Sequence, residues 1–170
     1  MFDRSMKIFI SLTVVSLLML GMVTSAVAND LSQELARARA ATAKYHDVSN
    51  AEADGYVPDV CHVDGCHWFK WDLYDETFDI EQPEALNYVP TENGGWRLVA
   101  VEYIVMGGSN PPPPAPDGFT GDADAPNGDE YGWRYGTEGF LDWELSVWIW
   151  SHNPNGMFAM ENPRFEHEEE

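Results

Sequence analysis

Residues 96–106 read Trp-Arg-Leu-Val-Ala-Val-Glu-Tyr-Ile-Val-Met. β-branched and aromatic side chains dominate, and neither Gly nor Pro interrupts them, so the run predicts a strand. Leu98, Ala100, Glu102 and Ile104 alternate onto one face, and Val99, Val101, Tyr103 and Val105 onto the other. Apolar residues on both parities predict a strand covered on both sides, with a helix on one of them. Residues 85–89 form a second apolar run. Thr91-Glu92-Asn93-Gly94-Gly95 lies between the two and carries the Asn-Gly turn signal, so the pair reads as an antiparallel hairpin.

Outward from this hairpin, Leu31, Leu35, Ala38, Thr42 and Tyr45 fall at alternating steps of four and three, which makes one apolar stripe on a helix that Asp30 can cap. Ser49-Asn50-Ala51-Glu52 matches a capping box and predicts a second short helix starting at Ser49, ended by Gly55 and Pro58. Residues 66–71 and 140–150 read as further strands. Residues 107–139, with Pro111 to Pro114 and many Asp and Gly residues, read as a long irregular loop. Helices set apart from about four antiparallel strands define an α+β fold.

Residues 7–28 carry an address. Lys7 precedes an apolar run from Ile8 to Val23, and the stretch ends Ala26-Val27-Ala28, the pattern of a secretory signal peptide cleaved after Ala28. No Cys follows the run to take a lipid anchor. Residues 29–170 are then a single secreted domain, extracytoplasmic and without membrane association once the leader is gone. Removing Asp3, Arg4 and Lys7 shifts the net charge from −20 to −21. Such acidity opposes phosphate backbones and excludes nucleic acid as a partner. No nucleotide is expected either. Seven Trp and seven Tyr argue for a packed domain rather than acidic disorder. Outside the leader the lysines are Lys44 and Lys70 alone, and the combination resembles a halophilic surface.

Cys61-His62-Val63-Asp64-Gly65-Cys66-His67 is the densest group of soft ligands. Three readings stay open: a local Cys61–Cys66 disulfide, favoured outside the cell; a metal site using imidazole; and a stretched haem attachment, which nothing else in the chain supports. Glu102, in the middle of an apolar strand, is costly to bury unless paired, protonated or bound to a cation. The pairing partners within reach of that reading are Arg97 and Arg134. Asp142, Glu144 and Ser146 share one face of the last strand with Trp148 and Trp150. Asp142 or Glu144 beside Glu102 would make a carboxylate pair, suited to glycosidic acid/base chemistry or to a divalent cation. Glu144 and Trp148 are candidate ligand-binding residues. Asp122 to Glu130 has the oxygen density of a calcium loop without its register.

Several phrases together resemble a family of secreted bacterial and archaeal proteins without an assigned function. They are Ala41-Thr42-Ala43-Lys44-Tyr45-His46-Asp47-Val48, Gly65-Cys66-His67-Trp68, Arg97-Leu98-Val99-Ala100-Val101-Glu102-Tyr103, and Val147-Trp148-Ile149-Trp150 through Asn153-Pro154-Asn155-Gly156-Met157-Phe158-Ala159. The resemblance implies a His at position 67 and an acid at position 102. It also implies two His in the last strand, where this chain has Asp142 and Ser146. Such a set looks like a metal site, of which this chain keeps His67, Glu102 and Asp142. The family's late Cys is absent here and Cys66 is added, which implies a rewired local disulfide. The expectation is a secreted domain that binds a divalent transition metal or a small ligand in a pocket beside the sheet, through His67, Glu102 and Asp142. The alternatives are an extracellular hydrolase, metal-dependent or carboxylate-based, and a surface-interaction protein without a site.

Overall fold

A computed structural model describes residues 30–61, 65–121, 124–125, 132–136 and 140–165. The expected leader at residues 1–28 and most of the acidic stretch at 122–130 lie outside the described residues.

Helix α1 covers residues 30–42 and runs on into a 3-10 turn at Ala43–His46. The stripe read from the sequence is the buried one: Leu35, Ala38, Thr42 and Tyr45 all face the interior. Thr42 Oγ1 donates to the Ala38 carbonyl at 2.7 Å and accepts from Trp150 Nε1 at 3.2 Å, so the one polar member of the stripe is satisfied. Helix α2, Val48–Ala53, starts one residue before the expected Ser49. Its cap is Asp47, whose carboxylate accepts from the Ser49 amide at 3.1 Å and the Ser49 hydroxyl at 2.7 Å. An aspartate satisfies the orphan amide and also complements the positive helix end, so the cap moves from Ser49 to Asp47.

Seven strands follow among the described residues: β1 Val57–Cys61, β2 Cys66–Phe69, β3 Ala85–Pro90, β4 Trp96–Met106, β5 Asp124–Ala125, β6 Trp133–Tyr135 and β7 Asp142–Val147. They form one sheet in the order β1-β2-β3-β4-β7-β6-β5. Every neighbouring pair is antiparallel except the two-residue β5, which runs parallel to β6. The fold is α+β, with more strands than the four expected. β1 contains Pro58, which an edge strand tolerates and a sequence pattern reads as a break. β6 lies inside the stretch expected to be an irregular loop; three residues are too few to display a period. β7 stops at Val147 rather than 150, because the Trp148 amide leaves the ladder for the Met157 carbonyl at 2.9 Å. Cys61 and Cys66 are register partners and are joined as a disulfide that closes the β1–β2 end of the sheet.

The hairpin is built as the sequence predicts, with Gly94 at φ 78° in its turn. One detail differs. Asn87 pairs with Ala100 and Tyr88 with Leu98, which leaves Val99 as an extra residue on β4. A bulge of this kind reverses the alternation on one side of itself. Leu98 therefore joins the core with Val101, Tyr103 and Val105, and not the face of Glu102. Helix α1 covers the core face. Its Tyr45 meets Tyr56 edge-on at 5.1 Å, and Tyr88 Oη donates to the Tyr45 carbonyl at 2.7 Å. No helix among the described residues is long and apolar enough to cross a membrane.

Candidate functional site

The face of the sheet away from α1 carries the polar groups. Phe69, Ala85, Glu102 and Ser146 are register partners across β2, β3, β4 and β7, and His67, Asn87 and Ala100 form the next row. His67 Nδ1 lies 3.1 Å from Glu102 Oε2. That contact spans β3, two strand spacings or about 9.6 Å of backbone. Ala85 makes it feasible: it is the partner of both Phe69 and Glu102, is fully buried, and has no side chain beyond Cβ. Its positioning role carries no chemical signal in the sequence.

The two groups sit in different environments. The imidazole side chain is 40% exposed and the carboxylate side chain only 7%. Burial pushes the Glu102 carboxyl up, but the charge of protonated His67, its hydrogen bond, the Arg134 guanidinium and the Ser146 hydroxyl outweigh it, and the acid titrates below the usual carboxylate range. Ser146 Oγ donates to Glu102 Oε1 at 3.3 Å. The carboxylate is thus the centre of the cluster, held by imidazole on one oxygen and hydroxyl on the other. A serine hydrolase places its imidazole between acid and serine. Here the order is His–Glu–Ser, so His67 does not activate Ser146.

Asp142 does not join them. Its register partner is Met106, whereas that of Glu102 is Ser146. Four residues along a strand separate the two rows by about 13 Å. Asp142 Oδ2 instead accepts from Tyr74 Oη at 2.7 Å. Burial first, and this hydrogen bond second, push the Tyr74 phenol up to about 12. The expected convergence of His67, Glu102 and Asp142 on one metal ion is therefore corrected. Among the described residues no three His, Cys, Asp or Glu side chains are grouped to hold a metal. Parity along β7 places Asp142, Glu144 and Ser146 on one face, but the β4–β7 register decides which of them meets Glu102, and it selects Ser146.

Glu144 faces Arg134 at 3.8 Å, so it belongs to an ion pair and not to a carboxylate pair with Glu102. Arg134 is itself buried and acts on Glu102 electrostatically, as one of the two partners expected; Arg97, the other, lies over the Phe165 ring at 5.5 Å. Trp148 Nε1 donates to the Ala159 carbonyl at 2.7 Å, and its ring stacks with Phe165 at 6.0 Å. That side chain ties down the C-terminal segment. The disulfide occupies both thiols, so neither Cys61 nor Cys66 is a thiolate ligand. His62 lies outside the described residues. Phe69 and Trp71 extend the His67 face with stacked rings at 4.9 Å.

No family model, curated protein or solved structure matches the chain.

Proposed function

We propose that the chain is an exported domain that binds a small hydroxylated ligand at His67, with Glu102 as the group that orients the imidazole. One observation carries this reading: a buried carboxylate, kept ionised, sits 3.1 Å behind an accessible imidazole. Burying a charge is costly, and in a fold-stabilising role an apolar pair of similar volume does as well or better. The arrangement makes sense if the imidazole is the working group. In its neutral form the imidazole gives Nδ1–H to the carboxylate and keeps its lone pair on Nε2, the atom that would accept a hydroxyl proton. Net acidity of the chain opposes anionic ligands and favours neutral ones. The leader at residues 1–28 supports export, and the Cys61–Cys66 bond is in keeping with an oxidising exterior.

A divalent transition metal is the second reading, and the same pair favours it. A carboxylate that holds the far nitrogen of a ligating His is the usual outer support of a metal centre. His67 would be its one protein ligand here, with water in the other positions. A metal held that way would supply an activated water, the hydrolase version of the site.

Saturation-transfer NMR with a panel of neutral monosaccharides, disaccharides and polyols tests the first reading, with a Zn²⁺ titration beside it. At least one neutral probe is expected to bind the wild type, to be lost in His67→Ala and to weaken roughly tenfold or more in Glu102→Gln. Binding unchanged by His67→Ala, or no binding by any neutral probe, overturns it. Stoichiometric Zn²⁺ uptake that His67→Ala abolishes replaces it with the metal reading.

A further inference from the structure

We propose that Trp71 and Tyr74, backed by Asp142, form a second site at the end of the outer face that takes a small quaternary ammonium cation. This site does not rest on His67. Trp71 is 54% exposed, the largest aromatic side chain so placed among the described residues. Its ring orientation is set from behind by Phe69, stacked at 4.9 Å with the planes 14° apart. The Tyr74 ring stands 6.0 Å away at 87°. Two aromatic rings at a right angle are two walls of an aromatic cage, the arrangement that attracts alkylated ammonium groups.

The charge around the corner selects the sign of the ligand. Tyr74 Oη donates to Asp142 Oδ2 at 2.7 Å, which anchors the ring and enriches its π-face. Asp142 is 3% exposed, and its other oxygen, Oδ1, has no hydrogen-bond partner among the described residues. No ion pair to Asp142 is formed among them either; Arg134 goes to Glu144. A buried carboxylate with one oxygen unsatisfied leaves negative potential behind the rings. Asp72, Asp75 and Glu76, within five residues of Trp71 along the chain, are exposed and add negative charge to this segment. The nearest lysine in sequence, Lys70, places Nζ over the Tyr56 ring at 5.8 Å, so its ammonium is engaged away from this corner. A metal ion would have to exchange its water for carbon surface. A quaternary ammonium, weakly hydrated and apolar at its rim, meets both the rings and the charge.

The test is titration of the purified protein with choline and with 3,3-dimethylbutan-1-ol, its neutral isostere, read on the Trp71 indole N–H resonance and by calorimetry. Choline is expected to saturate the Trp71 shift, and the neutral isostere to bind at least tenfold more weakly. Trp71→Ala should abolish the heat, while Trp71→Phe, which keeps an aromatic wall, should retain part of it. Asp142→Asn should weaken choline several-fold. His67→Ala should leave choline binding unchanged, which separates this site from the imidazole centre. Equal binding of the two isosteres, choline binding that survives Trp71→Ala or disappears in His67→Ala, or no saturation by choline would each overturn the assignment.

Discussion

The two faces of this sheet treat polar groups differently. Toward α1, three buried tyrosines each end on a backbone carbonyl: Tyr56 on Pro83 at 2.7 Å, Tyr88 on Tyr45 at 2.7 Å and Tyr103 on Ile80 at 2.8 Å. Their rings interlock with Trp68, Phe78 and Phe119. Away from α1, Asn87, Glu102, Arg134, Asp142 and Ser146 are buried almost as deeply. Yet Asn87 Oδ1, Arg134 Nη2 and Asp142 Oδ1 find no hydrogen-bond partner among the described residues. The core face leaves some indole N–H groups of Trp68, Trp133 and Trp143 in that condition, but no charged group. A charged group left short of a hydrogen bond is far costlier to bury than an indole in that condition. The core face is built for cohesion, and the outer face keeps costly polarity that cohesion does not require.

The largest effect expected from this contrast is in the core. Trp133 is fully buried and packs edge-on against Phe78 at 5.7 Å. Trp133→Ala should destabilise by about 3–5 kcal/mol through lost burial and the cavity left behind. Urea denaturation reads this directly. A loss below about 1 kcal/mol would mean that the site collapses around the gap and that the core is less specifically filled than the ring contacts show.

These same contacts separate what a sequence displays from what it conceals. The β3–β4 hairpin was legible because composition, alternation and an Asn-Gly turn agree. The stripe of α1 was legible for the same reason. β1 and β6 were not, since Pro58 masks the first and the second has three residues between Gly132 and Gly136. Glu102 stood out as a carboxylate in an apolar strand, and His67 as an imidazole beside a cysteine; the structure brings those two together. Asp142 looked equally eligible because parity reveals the face of a strand and not its register. The bulge at Val99, the clearance over Ala85 and the Tyr74–Asp142 bond depend on contacts between distant segments, for which no local pattern exists.

On the core side of the sheet, Glu84 gives a smaller and opposite effect. It is 2% exposed, and Oε2 accepts the Ile104 amide at 2.9 Å, just beyond the last β3 partner of β4. Burial raises its carboxyl to about 8, against the pull of that hydrogen bond and with help from Asp75 and Asp79. The unfolded chain therefore releases this proton first, near the ordinary value of 4.5. Stability should fall as pH rises from there to about 8 and then level off. Glu84→Gln keeps an acceptor for Ile104 and removes the titration. In urea midpoints at about pH 9 the variant should exceed the wild type by up to roughly 4 kcal/mol, and by little at about pH 5. A gap that does not widen with pH would show that Glu84 is ionised within the fold.

Glu102 should behave in the reverse sense, and more weakly. Its folded titration point lies below the ordinary value, so its ionised form stabilises the fold above that value, and the contribution is lost as pH falls through the folded one. Its partner His67 is partly exposed, and solvent screens the pair, so a cost of about 1–2 kcal/mol is expected for Glu102→Gln at neutral pH. The gap between wild type and variant should narrow below the ordinary carboxylate value of 4.5 and close only once pH has fallen through the lower folded titration point, where both carry a neutral group. Glu84, just before β3, and Glu102, on the neighbouring β4, thus tilt stability in opposite directions with pH. That divergence is the thermodynamic form of the contrast between the faces: Glu84 is tolerated because it can stay neutral, whereas Glu102 is held charged by His67, Arg134 and Ser146. If Glu102→Gln is neutral or stabilising at every pH, the charge is not maintained, and the imidazole in front of it has no oriented partner.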